Sequence, residues 1–289
     1  MNQNSSAQNL KYGDVLIRLL RHGNFNGNHK MAAAIREKSS NRWKNNIVYY
    51  SLSDQYGQDE KDLIKDMMQY LEEQTCFKFI EKSSQRDYLD IRKEDGCYSY
   101  VGRVGGPQLL SLSKGCFRPY IIQHELLHAL GLEHEHQRHD RDKYIKVNYR
   151  NVQKGKEDNF DKIPSHLVEL YGQPYDYNSI MHYDSRAFGK FDWNRQRKLE
   201  TMLPLKERIT INDNHQLSEL DLAKLRILGK CPQNENELKY AGRKGNGQIK
   251  EKDDECRDVS LSCTERLCHL EPYTDLMGHY CVKTCKLCS

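Results

Sequence analysis

The stretch HELLHALGLEH, residues 124–134, brings three histidines, two glutamates and a glycine together in a short apolar segment. His124 and His128 are four residues apart, so on a helix both rings project from one face and can chelate one cation. Gly131 favours the backbone conformation that ends a helix, which lets the chain turn and bring back His134 as a third ligand. Three neutral nitrogen ligands leave one coordination position for water, which is typical of a catalytic zinc site.

Glu125 lies between the two helical histidines, where a base for an activated water would sit. The alternative interpretation is a solvated helix face that carries histidines by chance, but the full spacing HExxHxxGxxH favours a metal site. Downstream, YNSIMHYD contains Met181, which could form a tight turn under the metal, and Tyr183, which could bring a phenol to it. Taken singly, each would be an ordinary packed side chain. The histidine motif followed by such a methionine turn is the metzincin arrangement.

HELLHALGLEHEHQRHDRD followed by SIMHY resembles the astacin family of zinc endopeptidases, over about residues 33–231. The resemblance implies one catalytic Zn²⁺ ion, with Glu125 as general base and Tyr183 as a further metal contact that stabilises the oxyanion. The implied metal ligands are His124, His128 and His134. The implied disulfides are Cys76–Cys231 and Cys97–Cys116. The implied fold is of the α+β class with two subdomains: a twisted mixed sheet with helices above the cleft, and a loop-rich half below.

Composition narrows the class of protein. The 289 residues carry a net charge of +4 from 45 basic and 41 acidic side chains, and this balance argues against a dedicated nucleic-acid partner. No apolar run approaches the roughly 20 residues that span a bilayer, so we expect no membrane insertion. Ten cysteines, six of them in the last 34 residues, predict a secreted, extracellular protein. The amino-terminal residues lack the pattern of a secretory signal, and the alternative interpretation of the cysteines is a cytosolic zinc cluster.

The pattern of apolar residues predicts few regular elements. A strand is expected around residues 47–50 and an amphipathic helix at 61–75. Short strands are expected in CFKFIEK, DYLDIRK and YSYVGRV. A second helix is expected at 120–132, followed by a loop-rich region to about residue 231. Residues 232–255 are rich in charges and glycine and predict a linker.

The segment before the catalytic region resembles a propeptide. We expect residues 1–32 to be propeptide-like and residues 33–232 to form the catalytic domain, with 233–255 as linker. KYGDV resembles the family's inhibitory motif, which makes Asp14 the acid that occupies the water position on zinc; the alternative is an ordinary turn aspartate. Lys30 offers a trypsin-like cleavage site. The family also implies that the new amino terminus pairs with Glu135, which would otherwise be an exposed acid at a helix end.

The carboxyl-terminal cysteines form a separate pattern. Residues 256–289 resemble the ShKT module, a small disulfide-rich fold. The resemblance implies the bridges Cys256–Cys288, Cys263–Cys281 and Cys268–Cys285, although six cysteines alone permit fifteen pairings. The toxins of this fold block channels with an adjacent lysine and tyrosine. The stretch HLEPYTDLMGHY between two of these cysteines has no lysine, which favours docking to a matrix or membrane protein.

The sequence therefore predicts a secreted zinc metalloendopeptidase, made as a latent precursor, that cleaves peptide bonds in protein and peptide substrates. The alternative is a vestigial protease that acts as a binding or channel-modulating protein through its ShKT module. Retention of Glu125 and of all three histidines favours the enzyme.

Overall fold

The computed structural model describes residues 8–12, 14–19 and 41–232, together with Lys286. The strands are β1 (Gln8–Tyr12), β2 (Val15–Leu19), β3 (Ile47–Leu52), β4 (Lys78–Glu81), β5 (Tyr88–Arg92), β6 (Cys97–Tyr100), β7 (Pro107–Leu112), β8 (Ile145–Val147), β9 (Phe191–Asp192), β10 (Arg197–Lys198) and β11 (Met202–Pro204). The α-helices are α1 (Gln58–Gln74), α2 (Pro119–Leu130) and α3 (Glu219–Gly229). No helix in these ranges is long and apolar enough to cross a membrane.

The first seven strands form one mixed sheet in the order β1-β2-β6-β7-β5-β3-β4. Neighbouring strands are parallel except in the β1–β2 and β6–β7 pairs, which are antiparallel. On β3, Val48 and Tyr50 alternate with less buried residues, as expected of a strand with one face on the core. This confirms the predicted mixed sheet.

Helices α1 and α2 pack on each other, and α2 also lies against β6 and β7. The α1 helix buries one apolar stripe: Leu63, Ile64, Met67, Met68 and Leu71. In contrast, α2 is buried around most of its circumference, including the polar side chains of Glu125 and His128. A helix buried in this way is held by packing, at about 1.5–3 kcal/mol for each large apolar side chain removed from water.

The half of the structure between α2 and α3 contains 3-10 turns and two two-stranded sheets, β11–β8 and β10–β9. Its small core is separate from that of the main sheet and is built around Phe160, Met202 and Ile211. The loop-rich lower half is thus confirmed, with one correction. The region predicted to be loops as far as residue 231 ends in helix α3.

Three elements differ from the sequence prediction. The β1–β2 hairpin lies in a segment with little apolar periodicity, and β7 lies in a stretch with no predicted strand. The α3 helix was not predicted because its buried face includes Asp221 and Lys224, which interrupt the apolar pattern. The linker and, apart from Lys286, the C-terminal cysteine module lie outside the described residues, so the division into domains stays a prediction.

Two disulfides connect elements within the described part of the chain. Cys76, just after α1, is bonded to Cys231, just after α3, and Cys97 on β6 is bonded to Cys116 before α2. Both pairings agree with those implied by the resemblance. The first bridge joins cysteines 155 residues apart and ties the end of the lower half to the upper half.

Candidate metal centre

Three imidazoles meet between the two halves. His124 and His128 project from α2, and their ring centroids are 4.7 Å apart. The Nε2 atoms of His128 and His134 are 3.2 Å apart. These three rings and the carboxylate of Asp14 offer ligand atoms that all lie within 4.8 Å of one another. The structure therefore brings together all three histidines of the predicted site.

The second nitrogen of each ring is held by an oxygen acceptor. The Nδ1 atoms of His124 and His128 lie 2.8 Å from the carbonyl oxygens of Ile180 and Leu132, and His134 Nδ1 lies 3.2 Å from Gln137 Oε1. An acceptor at Nδ1 fixes the proton there and leaves the Nε2 lone pair for a metal. Because the three Nε2 atoms converge, the residues present fit a Zn²⁺ ion with nitrogen ligands.

The third histidine depends on the turn that follows α2. Gly131 ends the helix with a φ of +127°, a conformation that side-chain-bearing residues rarely adopt. Its N–H donates to the carbonyl oxygens of Leu127 and His128, which closes the last turn. The chain then reverses and places His134, 2% exposed, opposite the helical histidines.

Asp14 contacts the ring nitrogens from the amino-terminal hairpin. Its Oδ2 lies 3.0 Å from His124 Nε2, and its Oδ1 lies 3.0 Å from His134 Nε2. Although burial by itself would raise the pKa of Asp14, the charges and hydrogen bonds of His134 and His124 hold it well below its usual range. The backbone oxygen of Asp14 also accepts a hydrogen bond from Ser99 N on β6, which anchors the hairpin to the sheet.

Tyr183 closes the lower side of the centre. Its hydroxyl donates to Asp14 Oδ1 at 3.1 Å, and its ring lies 4.4 Å from the ring of His134 and is stacked on His136. Burial, followed by the negative charges of Asp14 and Glu125, raises the pKa of Tyr183 well above its usual value. The phenol therefore stays protonated and serves as a donor.

Glu125 is 2% exposed on α2. Its negative charge contributes to the raised pKa of Tyr183, and it directly follows the ligand candidate His124 on the helix. Met181 is buried beside His134, and its carbonyl oxygen accepts a hydrogen bond from Glu135 N. The methionine turn and the segment after the third histidine are therefore joined directly.

Glu135 is the centre of a buried ionic network. Lys224 Nζ lies 2.6 Å from its Oε2, and Arg138 Nη1 lies 2.9 Å from its Oε1, which also accepts a hydrogen bond from Asp176 N. Both of its oxygens are thus bonded within the described residues, while the proposed amino-terminal partner lies outside them. A buried carboxylate needs such partners, because removing one from a buried pair is strongly destabilising.

Neighbouring Glu133 behaves differently. Its two carboxylate oxygens are buried without a hydrogen-bond partner among the described residues, in a cavity of about 40 Å³ that His134, Met181 and Lys224 also line. Burial, together with the charge of Asp14, raises its pKa to about 8. At neutral pH this side chain is therefore mostly protonated.

Helix α3 holds the methionine turn from below. Asp221 accepts hydrogen bonds from Ser179 Oγ and from Ile180 N, the residue whose carbonyl oxygen faces His124. Asp221 and Lys224 are three residues apart, so one face of α3 contacts both loops of the centre. Neither Asp221 nor Lys224 was predicted from the sequence as part of the site. Their signal is the capping sequence SELD, residues 218–221, ahead of an apolar run.

Comparisons with known proteins agree with this geometry. Residues 35–228 match the family model of the astacin peptidases. Zinc metalloproteinase nas-12 of Caenorhabditis elegans is 41% identical, over 99% of this chain and 75% of its own length. Low choriolytic enzyme of Oryzias latipes is 37% identical, over 79% of this chain and 80% of its own length. The solved structure of high choriolytic enzyme 1, a hatching enzyme zinc-protease of the same fish, superposes with a TM-score of 0.61 at 30% identity, over 72% of this chain and 100% of that one.

Proposed function

The chain belongs to the astacin family of zinc metalloproteases, which use one catalytic Zn²⁺ ion, and from this premise we propose that it is a secreted endopeptidase made as a latent precursor. The observation that carries the proposal is the convergence of three imidazole Nε2 atoms whose Nδ1 atoms are each held by an oxygen. Its substrates are proteins and peptides.

In this proposal the zinc ligands are His124, His128 and His134. When bound, zinc supplies Lewis-acid chemistry, which activates water and polarises a carbonyl group. Glu125 is the general base: its carboxylate takes the proton of the attacking water and delivers it to the leaving amine. Burial of Glu125 among apolar residues of α2 supports this role, because it limits competing contacts with bulk water.

Tyr183 is proposed to stabilise the transition state. Its hydroxyl already points at an anionic oxygen, that of Asp14, at 3.1 Å. The same donor would serve the oxyanion of the substrate once Asp14 has left. A donor that is aimed in advance costs no reorganisation at the moment of reaction, which is why such groups supply much of catalysis.

Latency is proposed to come from Asp14. Its two oxygens lie against two of the proposed ligands and against Tyr183, so that an uncleaved chain has a carboxylate where water and substrate must bind. Cleavage after this segment, for which Lys30 is one candidate, would remove the acid. The backbone pairing of β2 with β6 supports a propeptide that docks as part of the sheet.

A cleavage assay tests the proposed function. After removal of the leader, the protein is incubated with casein, with and without a zinc chelator, and Zn²⁺ is then added back. We expect cleavage that the chelator abolishes and zinc restores. Cleavage that is unaffected by the chelator would contradict the proposal.

The C-terminal module and its bridges remain part of the proposal and rest on the resemblance of residues 256–289 to the ShKT module. Disulfide mapping by mass spectrometry tests the three pairings. The vestigial-protease alternative is not adopted, because the three histidines converge and Glu125 is present next to His124 on α2.

A further inference from the structure

A hairpin of the lower half exposes aromatic side chains to solvent. Strands β9 and β10 form this element, which we call the aromatic hairpin, residues 190–198, KFDWNRQRK. Trp193 is 76% exposed, more than any other large hydrophobic side chain among the described residues, and Phe191 is 43% exposed. Single exposed apolar residues are ordinary, but a tryptophan and a phenylalanine side by side with this exposure are not.

The two rings form one ridge. Phe191 lies on β9 and Trp193 lies in the turn that follows it, and their ring centroids are 4.7 Å apart at an interplanar angle of 68°. This edge-to-face pair forms a wedge.

Cations surround the wedge. The hairpin carries four basic side chains and one acid: Lys190, Arg195, Arg197, Lys198 and Asp192. Lys198 lies directly across from Phe191 in the strand register, and Arg197 lies across from Asp192. Arg197 and Lys198 form no ion pair with any described residue, so their charge is available to an external anion.

The single acid is used inside the turn. Asp192 Oδ1 accepts hydrogen bonds from Asn194 N and Arg195 N, and its Oδ2 lies 3.7 Å from Arg195 Nε. Gln196 Nε2 donates to Trp193 O at 2.7 Å, which closes the tip. The turn is therefore fixed by its own hydrogen bonds, and the four basic side chains outweigh the one carboxylate, which leaves the hairpin a net charge of +3.

The base of the hairpin is fixed as well. A Cβ atom at Gly189 would lie 2.2 Å from the carbonyl oxygen of Leu199, so the two chains approach here as only glycine allows. Lys190 N donates to Asn151 O, and Leu199 N donates to Lys190 O. The ridge is thus presented in a set orientation, and little conformational entropy is lost when it binds.

We propose that the aromatic hairpin is a docking surface for a membrane that contains anionic phospholipids. Tryptophan and phenylalanine partition into the interface between headgroups and acyl chains, and neighbouring lysine and arginine side chains are attracted by lipid phosphates and carboxylates. The contact is peripheral and reversible, involves no spanning segment, and does not depend on the proposed catalysis. It would concentrate the protein at surfaces where substrate proteins lie.

Tryptophan fluorescence tests the proposal directly, because the chain contains two tryptophans. Trp43 is 4% exposed and its Nε1 donates to Ala129 O, so its emission is insensitive to vesicles. The uncleaved full chain is titrated with phosphatidylcholine–phosphatidylserine vesicles. We expect a blue shift of Trp193 emission and co-sedimentation that weakens with salt, and neither effect with pure phosphatidylcholine.

Two variants separate the contribution of the aromatic side chains from that of the basic side chains. F191A/W193A should abolish the blue shift and weaken sedimentation, whereas I80A, a change at an apolar side chain of the same 43% exposure on β4, should leave sedimentation unchanged. R195Q/R197Q/K198Q should weaken binding on the order of a hundredfold. Its matched control removes three exposed lysines elsewhere: Lys65, Lys114 and Lys154.

Three outcomes would overturn the proposal. One is absence of binding to the anionic vesicles. Another is equal loss of binding in the hairpin variants and their matched controls, which would indicate a general effect of net charge or apolar area. The third is salt-sensitive binding to heparin without a blue shift on vesicles, which would assign the surface to a sulfated polysaccharide.

Discussion

The two halves of the metal centre are built by different physical means. His124 and His128 lie on α2, where helical spacing alone sets their separation. His134 and Tyr183 lie in segments outside any helix or strand, and contacts between residues far apart in sequence hold those segments. Lys224 and Glu135, for example, are 89 residues apart. Local spacing therefore predicts the first half of the centre, and buried long-range polar contacts determine the second.

The largest expected effect lies in the helical half. Glu125→Gln removes the proposed base but keeps the size and helical position of the side chain. We expect peptidase activity of the activated protein to fall on the order of a thousandfold, while zinc content and melting temperature stay unchanged. The measurement combines peptide hydrolysis with metal analysis. Glu73→Gln, on the exposed face of α1, serves as the control and should retain activity.

Substantial residual turnover in the Glu125 variant, with zinc still bound, would contradict the assignment of the base. The group that takes the proton from water would then have to lie outside α2, in the part of the centre that long-range contacts hold.

The second prediction concerns the half held by long-range contacts. Lys224→Met leaves the Glu135 carboxylate buried with Arg138 as its remaining cation. We expect the free energy of unfolding to fall by about 3 kcal/mol, because one charge of a buried network loses its partner. Urea denaturation measures the change, and Lys65→Met on α1 is the control at an exposed lysine. If Lys224→Met and Lys65→Met lost the same stability, the half of the centre held by long-range contacts would not depend on this ionic network.

These two cases show how much of the structure the sequence could predict. The motif HELLHALGLEH predicted α2, its end at Gly131 and the return of His134, because each depends on neighbours within one or two turns. The α1 helix and the strands β3, β4, β5 and β6 were predicted for the same reason. The resemblance of the chain to a known family supplied both disulfide pairings, which spacing could not have done.

Two of the missed elements, β7 and α3, have a common cause. Strand β7 buries Gln108 and Ser111, and α3 buries Asp221 and Lys224, so polar residues occupy core positions and hide the apolar period. Each of these side chains is satisfied by a partner in another segment, such as Gln108 Nε2 with Gly102 O. Only the assembled fold reveals such partners.

The third prediction tests the contact between the two halves. Asp14 bonds to His124 on the helical side and to His134 and Tyr183 on the loop side. In the uncleaved chain, Asp14→Ala should raise peptidase activity roughly thirtyfold, since charged hydrogen bonds of about 2 kcal/mol would no longer compete with substrate. Hydrolysis of a fluorogenic peptide by uncleaved protein measures the gain.

Asp54→Ala, at a fully exposed carboxylate, is the matched control and should leave latency intact. No gain from Asp14→Ala, in protein that becomes active after cleavage, would move latency to another part of the leader.

The smallest effect is expected at a partly exposed ion pair near the main sheet. Its N–O distance equals that of the buried Lys224–Glu135 pair. Arg103 Nη1 lies 2.6 Å from Asp87 Oδ2, the same distance as in the Lys224–Glu135 pair, but the Asp87 side chain is 34% exposed. Water screens this pair, so Asp87→Asn should cost less than about 1 kcal/mol of stability. Because the two N–O distances are equal, the difference in burial alone predicts the smaller loss of stability at Asp87.

The contribution of Asp87 to stability should also depend on pH. The N–H of Gly106 donates to Asp87 and, with the charge of Arg103, lowers the pKa of Asp87 in the folded protein. Unfolding therefore takes up a proton between the folded and unfolded pKa values, and stability rises with pH across that window. The difference between wild type and Asp87→Asn should be full near neutral pH and vanish as the pH falls through the lowered pKa. Denaturation curves at several pH values measure it. If Asp87→Asn cost as much stability as Lys224→Met, burial would not determine how much each ion pair contributes.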